Sequence, residues 1–229
     1  MILENMSYED IARTMKSDFE NELVRGYNSC FGRREEFGKK AMKLRAVEDH
    51  FFGELTKTTR NENKYIYLFF SRGRNDYKMN GILRHVRLEY MRKDGTHAAV
   101  FDFSNLNNVT FYTPHFFERV RTRLYKDEEK PLSLVRTCFC YQHIGSRVHR
   151  LESTKYKNSI FGVTPVGICL GEMMSEELWE FRTFISFKML KDDQKILTEE
   201  GINVLEQMEE LRTSVPGLLT PNFDESWIL

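Results

Sequence analysis

Apolar residues recur along this 229-residue chain at two spacings, and the change from one to the other marks its elements. Ile11, Met15, Phe19 and Leu23 return at every fourth position, which places them on one face of a helix. Ser7, followed three residues later by Asp10, marks the start of that helix, and Gly26 marks its end. A second helical pattern runs through Phe37, Ala41, Leu44, Phe51 and Phe52 and stops near Gly53. Together they predict a helical N-terminal region over 1–60.

After the polar stretch Lys57 to Asn63 the period becomes that of strands. Tyr65 to Phe70 is an aromatic-rich run, Arg72 to Asp76 is a turn or loop, and Leu83 to Met91 alternates imperfectly before Asp94-Gly95. That dipeptide is a hairpin signal leading into Ala98 to Phe103. Asn105 to Asn108 predicts another turn, and Val109 to Tyr112 a short strand. Lys130-Pro131 restarts a helix through Leu132, Leu134, Val135, Cys138 and Phe139. Ser159 to Val163 and Val166 to Met173 pair around Thr164-Pro165. Leu178 to Leu190 reads as a long strand, with Trp179, Phe181, Thr183, Ile185 and Phe187 on one face. Asp192 to Arg212 returns to helix.

The pattern predicts an α+β protein: a helical N-terminal region over 1–60, then an antiparallel sheet with a central packed helix over 61–229, closed by an acidic C-terminal helix. The central helix starts at Thr113-Pro114, where a hydroxyl can cap free amides and proline fits the first turn. At about 100° per residue, Phe116, Phe117, Val120 and Leu124 share one arc. His115, Arg119 and Arg123 follow its border at i, i+4 and i+8. A helix start offers unpaired N–H groups and a positive dipole end, so this stripe suits an anion. The bland reading of the same pattern is a basic border on a solvated helix.

Composition adds little to the fold but sorts the partners. A 41% hydrophobic, 30% charged chain with 18 Phe fits a globular protein, and no run approaches the ~18 apolar residues of a membrane span. The N-terminus lacks the order of a secretory signal. Cys30, Cys138, Cys140 and Cys169 read as free thiols of a cytoplasmic protein. The net charge of zero hides a division: 3 basic and 6 acidic residues from Met1 to Gly32, 26 and 15 from Arg33 to Lys157, 5 and 13 from Asn158 to Leu229. A basic middle between acidic ends is compatible with a nucleic-acid or phosphate partner. The acidic helix beginning at Asp192 could lie against that middle and compete with nucleic acid.

The order of a strand, a Thr-Pro-capped helix carrying His115, Arg119 and Arg123, a second helix and three strands resembles the barnase/EndoU/colicin/RelE-like group of small ribonuclease toxins. The likeness spans roughly Val109 to Leu190; the first hundred residues and the long connection from Tyr141 to Asn158 depart from the compact toxins. It implies cleavage of RNA without metal or other cofactor, by attack of a ribose 2′-hydroxyl on the adjacent phosphate, in a toxin-like or mobile-element-associated protein. His115 is then the acid or base, Arg119 and Arg123 hold phosphates, and Ser186 or Thr183 supplies a hydroxyl from the last strand. Being three positions apart, those two hydroxyls face opposite sides. Arg121, Arg147 and Arg150 would bind nucleic acid, the last two from a basic loop with His143 and His149. The alternative is a non-catalytic nucleic-acid-binding or assembly protein on the same fold, with RNA or a protein as partner.

Other chemistries have weaker signals. Cys138, Cys140 and His143 fall within six positions, but Cys-x-Cys on a helix turns its sulfurs about 200° apart, and no metal is expected. His-Glu-x-x-His, Gly-rich phosphate loops and Gly-x-Ser-x-Gly are absent. The aromatic run Tyr65, Tyr67, Phe69 and Phe70 could stack bases, but an aromatic strand is more often core.

Overall fold

A computed structural model describes residues 2–24, 31–48, 50–81, 83–102, 105–125, 135, 138–139, 148–150, 158–164, 167–186 and 189. The protein is α+β and divides into two compact units, Met1–Pro114 with Ser175–Leu178, and His115–Met174 with Trp179–Leu229. Within the first unit the N-terminal helices share a core with the strands that follow them.

In the first unit, α1 (Tyr8–Asp18) begins where Ser7 Oγ accepts a hydrogen bond from Asp10 N at 3.1 Å, relieving one unpaired amide of the first turn. A wider π-helical turn, Phe19–Leu23, continues it. Ile11, Met15, Phe19 and Leu23 are all buried, as their spacing predicts. They pack with Phe37 and Ala41 of α2 (Phe31–Ala41) on one face of an antiparallel sheet. Its strands are β1 (His50–Thr58), β2 (Lys64–Ser71), β3 (Leu83–Arg92), β4 (Gly95–Asp102) and β5 (Asn105–Tyr112), each paired with the next. Tyr65, Tyr67 and Phe69 of β2 meet the helices, and Tyr8 stacks on Phe111 of β5 with ring centroids 4.4 Å apart. The β3–β4 hairpin closes over Lys93-Asp94, with Arg92 opposite Gly95. Gly95 takes a φ of +130° that other residues rarely adopt. Ser175–Leu178 joins this unit through Val109 N, which donates to Glu177 O at 2.9 Å, and through buried Leu178.

Three sequence expectations change here. Phe51 and Phe52 belong to β1, not to a helix ending at Gly53. The helical period would have had to cross residues 45–48, whose backbone is tied instead to the turn after β2. Glu48 N donates to Arg72 O at 3.1 Å and Arg74 N to Arg45 O at 2.9 Å. Arg72 to Asp76 is correspondingly more than a loop, since α3 (Arg74–Asn80) starts inside it. Asn105 to Asn108 is the opening of β5 rather than a turn: Asn105 pairs with Asp102, and the register with β4 then shifts before Val109 pairs with Phe101.

A buried carboxylate ties α1 to the β1–β2 turn. Asp18 accepts from Asn63 Nδ2 at 2.6 Å, the Tyr65 hydroxyl at 3.0 Å and Asn61 Nδ2 at 3.3 Å. Burial, reinforced by the Asp18 charge, pushes the Tyr65 hydroxyl pKa far up, so it remains a donor.

In the second unit, α4 (Pro114–Val120) begins at the predicted Thr-Pro start and widens into a π-helical turn over Arg121–Tyr125. β6 (Val148–Arg150), β7 (Ser159–Thr164), β8 (Gly167–Met173) and β9 (Leu178–Ser186) pair in that order, all antiparallel. Val135, Cys138 and Phe139 are helical and buried. The core joins Phe116 to Phe181 of β9, at 6.3 Å between ring centroids, and Phe117 to Phe139 at 6.1 Å. Thr183 was expected on the face of Trp179 and Phe181, but β9 carries a bulge. Phe181 pairs with Gly171 and Thr183 with Leu170, leaving Arg182 as the extra residue. An inserted residue flips the alternation beyond it, so Phe184 and Ser186 share the face of Phe181 while Thr183 and Ile185 take the other. The restarted helix from Lys130 lies mostly outside the described residues, and the acidic helix from Asp192 entirely so.

Asp18→Ala should cost about 3 kcal/mol, since it leaves buried donors without an acceptor; urea unfolding of variant and wild type measures it.

Candidate functional site

Burial of Phe116, Phe117 and Val120 turns the opposite arc of α4 outward. His115 is exposed, and Arg119, Arg121 and Arg123 are half-buried. Arg119 Nε donates to His115 Nε2 at 3.2 Å. Because a guanidinium can only donate, Nε2 is the accepting nitrogen of this contact. The first two members of the predicted stripe are therefore a joined pair, one turn apart.

Arg123 reaches β9. Its Nη1 donates to the carbonyl of Phe184 and lies 3.4 Å from Thr183 Oγ1. The hydroxyl brought to the basic stripe is thus that of Thr183, beside the bulge. Ser186 does not join it. It is 1% exposed on the face of Phe181, opposite Gly167, and its Oγ has no hydrogen-bond partner among the described residues. The sequence could not place Thr183 here, because strict alternation assigned it to the wrong side of β9.

Arg121 forms a two-pronged ion pair with Glu118, Nε to Oε2 at 2.8 Å and Nη2 to Oε1. That carboxylate offsets most of its charge toward any anion. Of the other residues assigned to nucleic acid, Arg150 lies in β6 opposite Ile160, and Arg147 lies outside the described residues. His149 pairs in register with Phe161, while Cys30, Cys140 and His143 also lie outside them.

The described thiols are poorly suited to chemistry. Cys138 and Cys169 are free and buried, and burial pushes both thiol pKa values up. Among the described residues no group of three or more His, Cys, Asp or Glu is arranged to hold a metal ion. No described helix is long and apolar enough to cross a membrane.

No protein-family model matches the chain, and neither a curated protein nor a solved structure matches it.

The arrangement separates structural from chemical positions on one short helix. Phe116→Ala should lower stability by about 4 kcal/mol through cavity formation, whereas His115→Ala should change it by less than about 0.5 kcal/mol, as for an ordinary surface position; paired denaturant titrations give both numbers. Cys138 and Cys169 should resist alkylation in the folded protein and react once it is unfolded, read by mass spectrometry of iodoacetamide-treated samples.

Proposed function

We propose that this protein is an endoribonuclease of the toxin-like kind, using His115 and Arg119 to cleave RNA by 2′-hydroxyl attack without a metal. The observation that carries the reading is the continuity of the stripe. An exposed imidazole is joined to a guanidinium by a 3.2 Å hydrogen bond, and Arg123, the third member of the stripe, sits against a strand hydroxyl from the turn that follows. A base, a phosphate clamp and a positioned hydroxyl thus follow one another along α4 and β9.

The chemistry follows from the donor directions. A phosphate that takes over Arg119 releases His115 Nε2, whose lone pair then accepts the 2′-hydroxyl proton. The 2′-oxygen forms a bond to phosphorus while the bond to the 5′-oxygen breaks, leaving a 2′,3′-cyclic phosphate; the departing oxygen recovers a proton from the imidazolium. Arg119 offsets the charge that builds on the equatorial oxygens. Arg123, held by the Phe184 carbonyl, acts as a positioning residue that keeps the π-helical turn on β9.

The second reading is a nucleic-acid-binding or assembly protein without catalysis. It is favoured by the burial of Ser186 and by the engagement of Arg123 with β9, which reduce the groups able to touch a substrate. The two readings separate in one assay with end-labelled RNA in the presence of EDTA. The nuclease should yield 2′,3′-cyclic phosphate ends, and His115→Ala should slow cleavage by about 10²–10⁴-fold. RNA retained intact by wild-type protein under all metal conditions rejects the enzyme and leaves the binding module.

A further inference from the structure

The first unit carries a cationic surface that α4 does not use. α2 ends at Ala41, and the chain then crosses 42–48 to lie against the turn that opens α3. Arg74 N donates to Arg45 O at 2.9 Å, and Asn75 N to Ala46 O at 3.3 Å. Gly73 makes the approach possible: at φ +105°, a Cβ there would lie 2.7 Å from both Ala46 O and Glu48 N. The two segments are therefore one ledge, with Arg45 beside Arg74.

The carboxylates of Glu48 and Asp76 are engaged by backbone amides. Glu48 Oε2 accepts from Arg45 N at 2.8 Å, and Asp76 Oδ2 from Arg72 N at 2.7 Å. Both are occupied by backbone amides, which charge-assisted hydrogen bonds satisfy well. Lys43, Arg45, Arg74 and Lys78 are left exposed, and no carboxylate among the described residues forms an ion pair with any of them. Arg74 and Lys78, four apart on α3, share a face. Across 33–48 and 72–78 the basic residues exceed the acidic ones by five, nine against four.

We propose that this ledge binds the sugar–phosphate backbone of a nucleic-acid strand, which on the ribonuclease reading is the RNA substrate. Several cations carried on two tied backbone segments suit a chain of phosphates, and phosphate contacts position a strand without reading its bases. An anionic membrane is the competing occupant. It would call for a continuous apolar face beside the charges, whereas the exposed large apolar side chains of this ledge are Met42 and Val47, with Lys43 and Arg45 between them in the chain.

The test uses a 2′-O-methyl oligoribonucleotide, which lacks the attacking hydroxyl, so that binding is read whether or not the protein cleaves RNA. The full chain is compared with Lys43→Ala/Arg45→Ala/Arg74→Ala/Lys78→Ala by fluorescence anisotropy over a salt series. Loss of four contacts should lower affinity at least about tenfold at low salt and flatten the slope of log K against log salt by about 3, at roughly 0.7 per phosphate on a single strand. Should the fourfold variant melt below wild type, Lys43→Ala/Lys78→Ala and Arg45→Gln/Arg74→Gln are read separately, each expected to flatten the slope by about 1.4. An unchanged slope in a folded variant, or no binding by wild type, overturns the proposal. Wild type that binds phosphatidylserine vesicles and not the oligomer overturns it in favour of a lipid surface. The nuclease reading stands or falls separately, on cleavage of unmodified RNA.

Discussion

Phe116 stands 6.3 Å from Phe181 of β9, and Phe117 stands 6.1 Å from Phe139. A helix has a fixed angular period, so anchoring these adjacent rings sets the direction of every other side chain on α4. His115 and Arg119 point outward because the rings point inward. The wider turn at Arg121–Tyr125 carries Arg123 onto the Phe184 carbonyl, which ties the far end of the same segment to the strand. The placement of the stripe is thus a by-product of packing: the apolar contact sets the directions of the imidazole and the first guanidinium.

Several carboxylates of the first unit satisfy buried or backbone donors, while Asp10, Glu35 and Glu36 pair with the exposed cations Arg13, Lys39 and Lys40. Asp18 gathers Asn61, Asn63 and Tyr65, Glu22 accepts from Arg60 N, and Glu48 and Asp76 accept from backbone amides of the α3 ledge. Such bonds hold turns that have little apolar area of their own. Burial raises the demand on carboxylates: Arg87, a cation 1% exposed in a strand, is held by two, Glu54 at 2.7 Å and Glu89 at 2.8 Å.

Bulges decide which residues the sheets present. In β1 the register shifts between Phe51 and Gly53, where a φ of +147° is available only to glycine at no strain. In β9 the extra residue is Arg182, whose charge is shared between Glu172 and Glu180. Each shift re-aims the side chains beyond it, and in β9 that places Thr183 rather than Ser186 beside Arg123.

Local signals determined much of this protein. The Ser7 cap, the four-residue spacing from Ile11 to Leu23, the Asp94-Gly95 hairpin and the Thr113-Pro114 helix start act over one or two turns of chain, and each is found where its chemistry puts it. Tertiary structure decided whatever depended on a distant partner. Phe51 and Phe52 became strand because 45–48 found hydrogen bonds some 27 residues away. Asn105 pairs with Asp102 of β4, and a register shift separates that pair from Val109 opposite Phe101, neither of which the run of asparagines announces. The face of Thr183 was settled by a one-residue slip against β8, since alternation along a strand carries no mark of where its neighbour will skip.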